Sequence, residues 1–193
     1  QIDFMKEKGL KLERIMLNNG DPFTLKTEDL VKISKKITTE IPSVKSLVMF
    51  SSIRNIQQKT EEELKKLRET HITDLVIGVE SFYNPSLEIG NVGYTAEEAH
   101  FELKRLEKAG IKYSLMLILG LGGEGTGEIS GKTNAEFMKD LDPINLTITT
   151  LMVGSLTPLG KLRREGKFKE MSEKEKALEL KAFLSHQNLK NTF

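Results

Sequence analysis

Short apolar runs alternate with longer amphipathic stretches along this chain. The runs are Ile15–Leu17, Leu47–Phe50, Leu75–Ile77, Leu115–Leu119 and Ile148–Val153. Each has the length of a strand. Between them apolar residues recur at three- and four-residue spacing, as at Leu30, Ile33, Ile37 and Ile41, which predicts a helix with one buried face. Start signals agree: Thr60-x-x-Glu63, Thr95-x-x-Glu98 and Ser172-x-x-Glu175 are three capping boxes, and Thr27 is expected to cap a fourth helix. Gly110 follows the expected Ala96–Ala109 helix as a left-handed C-cap. Pro42 and Pro143 punctuate helix-to-strand loops. Residues Gln1 to Lys8 read as the tail of a helix, and a last helix runs from Ser172 to about Leu189.

Five strands separated by helices predict five βα units. Each strand stops at a small or polar cluster: Asn19-Gly20-Asp21-Pro22, Ser51-Ser52, Glu80-Ser81, Gly120-Leu121-Gly122-Gly123 and Gly154-Ser155. From Asp21 to Ser52, Glu80, Gly120 and Gly154 the steps are 31, 28, 40 and 34 residues, the length of a βαβ crossover. Parallel strands point their C-terminal ends the same way. The clusters are therefore expected on one face, where α/β enzymes build their sites. The expected fold class is α/β, a TIM-like partial parallel (β/α) barrel formed by a single domain over residues 1–193.

Composition narrows the function. With 29 basic against 28 acidic side chains there is no electrostatic case for nucleic acid or an anionic membrane. No apolar run reaches the ~20 residues of a membrane span, and Gln1 to Gly9 lack a signal peptide's apolar stretch, so a cytoplasmic protein is expected. Cysteine is absent, which removes disulfides, thiolate nucleophiles and cysteine-ligated metals from this chain.

Three motifs are decoys. Gly120 to Gly125 fits G-x-G-x-x-G, but Thr126, Gly127, Ser130 and Gly131 predict a loop where a dinucleotide site needs a helix. Gly131-Lys132-Thr133 ends like a phosphate-binding loop, yet Thr126 takes the place of its first glycine. His71, His100 and His186 share no metal-ligand spacing and are expected on or near helix surfaces.

Glu80 is a better candidate. A carboxylate ending an apolar strand carries a desolvation cost unless it is paired or binds something. Either a neighbouring Arg or Lys forms a salt bridge with it, or it clamps the two adjacent hydroxyls of a ribose, as acidic residues do at strand ends. Asp21 either caps its turn or contacts ligand. Gly20 lets the backbone turn and expose its carbonyls, and Gly120 and Gly122 let a flat ligand approach the chain.

These clusters, in this order, resemble the radical S-adenosylmethionine (radical SAM) superfamily from about Leu10 to Leu184. The chain looks most like its iron–sulfur oxidoreductases of the coproporphyrinogen oxidase type. Asn19 to Pro22 resembles the motif whose carbonyls receive the methionine amino group. Gly78-Val79-Glu80-Ser81 is similar to the ribose motif, with Glu80 on the hydroxyls. Leu117 to Gly123 resembles the segment beside the adenine, and Leu151 to Leu159, with Met152, the segment whose backbone reads the adenine edge. Ser51-Ser52 and Arg54 match a third-strand segment. The resemblance implies S-adenosylmethionine and a [4Fe–4S] cluster as cofactors and reductive cleavage to methionine and a 5′-deoxyadenosyl radical, which abstracts hydrogen from a substrate that this chain does not identify.

One departure is decisive. The family's C-x-x-x-C-x-x-C loop, which ligates the cluster, has no counterpart in a chain without cysteine. The expectation is a piece of a longer enzyme, units two to six of the barrel without the first strand and cluster loop, inactive alone. The strand holding Ile15 and Leu17 then becomes a sheet edge through which the chain self-associates. A different TIM-type barrel enzyme acting on a phosphorylated small molecule, or a cluster-free binding module, are the alternatives. The sequence singles out no catalytic residue and no metal ligand.

Overall fold

A computed structural model describes residues 2–9 and 11–189; Gln1, the first residue of the expected helix tail, and Leu10, where the family resemblance was expected to start, lie outside the described residues. In chain order the elements are α1 (Ile2–Glu7), β1 (Arg14–Leu17), α2 (Thr27–Glu40), β2 (Ser46–Ser52), α3 (Ile53–Gln57), α4 (Glu61–Glu69), β3 (Ile72–Glu80) and α5 (Asn84–Gly90). They continue with α6 (Ala96–Ala109), β4 (Lys112–Leu119), α7 (Gly127–Phe137), β5 (Asn145–Thr150), α8 (Pro158–Arg164) and α9 (Glu173–His186). The five strands form one parallel sheet in the order β1-β2-β3-β4-β5, so each crossover joins neighbours and the fold class is that of a partial (β/α) barrel. In β1 and β2, Ile15 faces Leu47 and Leu17 faces Met49.

The chain forms two compact units, one of residues up to Ile77 with Lys104–Ser114, the other of Gly78–Leu103 with the chain from Leu115 onward. In the first, Phe23, Leu30, Leu47, Met49, Leu64 and Leu67 are buried together with most of β2. A strand covered on both faces reads as a continuous apolar run, and β2 does so from Leu47 to Met49. In the second, Val79, Phe82, Leu103, Leu117, Ala135 and Phe183 form the core.

Helix starts that rest on local chemistry are as expected. Thr60 and Glu63 make a reciprocal capping box, and Thr95 and Glu98 make another. Gly110 closes α6 with φ of 75°. At α9, Ser172 receives the Glu175 amide, but the Glu175 carboxylate accepts from the amide of Gly125 instead of completing its box. Thr27 is not the cap of α2: Lys26 takes that position, and the Thr27 hydroxyl donates to Glu63 Oε1 at 2.7 Å. Ile33 of α2 faces outward, and Ser34, whose hydroxyl reaches the carbonyl of Thr70, is buried in its place.

Two expectations fail outright. The segment from Gly127 is helix α7, not loop. Its glycines are there for packing, since a Cβ on Gly131 would lie 2.9 Å from Ala182 Cβ and 3.0 Å from Phe183 N of α9. The last strand covers Asn145–Thr150 rather than Ile148–Val153. It is an edge strand of alternating threonines, and after the amide of Leu151 pairs with the carbonyl of Leu119 at 2.9 Å the apolar segment leaves the sheet.

Candidate functional site

In the first compact unit the end of β1 is tied to the end of β2 by one carboxylate. Asp21 Oδ2 accepts from the Ser52 amide at 2.8 Å and from Asn55 Nδ2 at 2.6 Å. Ser52 also caps α3, its hydroxyl accepting from the Asn55 amide at 3.4 Å. Asp21 Oδ1 is buried and has no hydrogen-bond partner. Asn19 and Gly20 both adopt left-handed backbone, with φ of 88° and 75°, and a Cβ on Gly20 would meet only open space. Among the described residues nothing donates to the carbonyls of Asn19 and Gly20, so they stand open as acceptors. Arg54 is exposed and makes no ion pair among the described residues.

The second unit holds Glu80. It ends β3 in a left-handed conformation, φ 64°, which side chains other than glycine and asparagine seldom adopt. Its side chain folds back over Gly78, where a Cβ would sit 2.6 Å from Glu80 Oε1. The G-x-E spacing thus has a steric correlate: glycine at 78 leaves the carboxylate room to lie there, and a larger residue would move it aside. Burial pushes the Glu80 carboxyl above its ordinary value of 4.5. Among the described residues it forms no salt bridge and accepts no hydrogen bond, so the structural alternative of an Arg or Lys partner is not what the fold provides. A half-buried, strained, unpaired carboxylate is the kind of local conflict that marks a functional position.

Ser81 is fully engaged with the protein. Its hydroxyl donates to Asn134 Oδ1 at 3.1 Å and accepts from the Tyr83 amide at 3.0 Å, and Asn134 also takes the Phe82 amide at 2.5 Å. It fixes the turn that presents Glu80. Gly120, φ 85°, donates its amide to Glu179 Oε2 at 2.7 Å, and a Cβ there would press on Lys176 Cε at 3.0 Å. Gly122 leaves no room for a side chain either, with Ser86 Oγ 2.8 Å from a Cβ built on it.

Beside the Gly120–Gly122 turn lies a groove of about 550 Å³ lined by Ile89, Gly90, Leu121, Leu151, Met152 and Pro158, among others. Met152, 89% exposed, and Leu156, 98% exposed, are the most exposed large apolar side chains in the described residues, so the segment after β5 presents backbone and an apolar lip to solvent. An apolar cleft with a few fixed polar groups is the usual form of a small-molecule site.

Sequence reasoning missed Asn55, Asn134, Lys176 and Glu179. Each acts through a partner at least 25 positions away, Asn55 through its Asp21 contact across 34. Their residue types carry no local signal.

The residues present do not fit an iron–sulfur cluster. The chain has no cysteine, and among the described residues no three His, Asp or Glu side chains are grouped to hold a metal ion. The three histidines take surface or packing roles: His100 Nε2 meets Asp140 at 2.8 Å, and His186 Nδ1 meets the carbonyl of Ala182 at 2.7 Å. No helix among the described residues is long and apolar enough to cross a membrane.

No protein-family model matches the chain. The heme chaperone HemW of Bacillus subtilis is 27% identical over 158 residues, 81% of this chain and 41% of that protein. The chain thus spans less than half the length of this relative. Coproporphyrinogen III oxidase of Escherichia coli, described as a radical SAM enzyme, superposes with a TM-score of 0.71 at 16% identity, over 90% of this chain and 39% of that one. A radical S-adenosylmethionine methyltransferase of Kitasatospora setae, with cobalamin and a [4Fe–4S] cluster bound, gives 0.64 at 14% identity over 85% of this chain and 32% of that one. The chain therefore has the fold of these two proteins, an oxidase and a methyltransferase that are both described as radical SAM enzymes.

Proposed function

We propose that this chain is the S-adenosylmethionine-binding portion of a radical SAM enzyme, and that its second compact unit binds the adenosine half of that cofactor. Glu80 carries the reading. A carboxylate held in strained backbone, half-buried and unpaired over Gly78, lacks the partners that two vicinal ribose hydroxyls would supply. The groove lined by Leu121, Leu151 and Met152 offers an apolar surface and open backbone to an adenine ring. In the first unit, the carbonyls of Asn19 and Gly20 are acceptors of the type an ammonium group takes.

In the complete enzyme S-adenosylmethionine would supply a 5′-deoxyadenosyl group to radical chemistry, with the electron for its cleavage coming from a [4Fe–4S] cluster held outside this chain. This chain has no thiolate for such a cluster, so the chain alone is proposed to bind and orient the nucleoside without cleaving the cofactor. The proposed compartment of the complete enzyme is the cytoplasm.

Calorimetric titration with S-adenosylmethionine tests the reading. Weak binding is expected, and Glu80→Ala should weaken it by about 1.5–3 kcal/mol, the range for a hydrogen bond to a charged group. Unchanged affinity in that variant would return Glu80 to a structural role. Anaerobic reconstitution with iron and sulfide should give neither a stable cluster absorbance nor 5′-deoxyadenosine; nucleoside formed above a no-protein control would overturn the assignment.

A further inference from the structure

Helix α9 is built inside out at one point. Lys176 and Glu179 are 7% and 1% exposed, while Leu178 and Leu184 of the same helix face solvent. Burying two charged side chains in place of available leucines is unfavourable unless they satisfy something specific. What they satisfy is backbone. Glu179 Oε2 accepts from the Gly120 amide at 2.7 Å and Oε1 from Ser130 Oγ at 2.6 Å. Lys176 Nζ donates to the Leu151 carbonyl at 3.4 Å and pairs with Glu173 at 2.8 Å, and its stem lies across Gly120.

Gly120 is the first residue past β4 and Leu151 the first past β5. Leu121 and Leu151 themselves line the groove, and Met152 follows. The two buried groups on α9 therefore grip both backbone segments that form this side of the groove.

We propose that Lys176 and Glu179 are positioning residues for the nucleoside site, setting the backbone of Gly120–Leu121 and Leu151–Met152 against which an adenine ring would lie. They do not touch the ligand. The assignment of the ligand rests on the function proposed above; the positioning itself does not.

The pair is tested in the whole chain with Glu179→Ala, Glu179→Gln and Lys176→Met. The readouts are adenosine affinity by calorimetry, site-resolved amide exchange without ligand, and the thermal midpoint. Glu179→Ala should speed exchange at the Gly120 amide selectively and weaken adenosine binding about tenfold or more, as expected for loss of a hydrogen bond to a charged group. Glu179→Gln, which keeps an acceptor for that amide, should restore both. Lys176→Met keeps the stem over Gly120 and should weaken binding through the Leu151 segment. A fall in the midpoint with affinity unchanged would mean that the pair only fastens α9, and would overturn the proposal. Should the unaltered chain bind no adenosine, the nucleoside reading fails, and the exchange data still decide the positioning: selective acceleration at Gly120 supports it, and uniform or absent acceleration refutes it. If Glu179→Ala does not fold, Glu179→Gln and Lys176→Met decide by the same readouts.

Discussion

At the scale of single residues, Glu80 sets binding against stability. A left-handed conformation costs a non-glycine residue about 1–2 kcal/mol, while glycine's greater freedom in the unfolded chain costs about 0.5–1 kcal/mol. Glu80→Gly should therefore stabilise the fold by up to about 1.5 kcal/mol while weakening nucleoside binding as Glu80→Ala does; denaturant midpoints measured beside affinity check both halves. A lower midpoint would mean that the left-handed turn carries no strain. The titration of Glu80 has a definite sign. Its carboxyl is raised in the fold by burial, so the folded state holds a proton that the unfolded state releases near 4.5. The contribution is complete below that value and is lost as pH rises through the folded value. Glu80→Gln should flatten the decline in stability over that window, and an unchanged pH profile would show the group to be unshifted. The sequence made Glu80 visible because a charged residue ending an apolar strand is anomalous on its own. It could not make Glu179 visible, because the Gly120 amide that Glu179 satisfies lies 59 positions away.

At the scale of elements, the clearest lesson comes from α7. Gly127, Ser130 and Gly131 depress local helix propensity, and read locally they predict a loop. Their purpose is tertiary: small residues let α9 approach the α7 backbone, and that packing outweighs propensity. Gly131→Ala decides between these effects. Alanine is favoured in a helix interior by about 1 kcal/mol, but overpacking costs about 1–3 kcal/mol, and the added methyl would meet the Glu179 carbonyl and Phe183 N of α9. Backbone cannot step aside as a side-chain tip can, so the variant should lose about 1–2 kcal/mol. A gain in thermal stability would show that α9 is held more loosely than described. The capping boxes at Thr60 and Thr95 were legible because donor and acceptor lie three residues apart. The box at Ser172 was half legible, because the Glu175 carboxylate is drawn to the amide of Gly125, 50 positions away. The last strand was misplaced for a related reason. The apolar Leu151–Val153 resembles a strand core, but it forms the lip of a groove, and the threonines before it do the pairing.

At the scale of the whole molecule, five parallel βα units were legible from crossover length, and the structure adds that the strands lie side by side in chain order. That order leaves β1 at one edge, pairing with β2. Met16 on that strand is 45% exposed, and α1 packs on α2. An edge with an apolar residue turned outward is a template for strand addition. Light scattering should therefore show mass rising with concentration, and Met16→Lys should reduce it; a monomer at all concentrations would mean that the edge is protected. The central claim concerns the other end of the strands, where Glu80 is assigned to a pair of ribose hydroxyls. The most direct test is a cycle of adenosine and 2′-deoxyadenosine affinities in the unaltered chain and in Glu80→Ala. Removing the ligand's 2′-hydroxyl should weaken binding to the unaltered chain by about 1 kcal/mol or more and leave the variant's affinity nearly unchanged. An equal loss in both proteins would contradict the account.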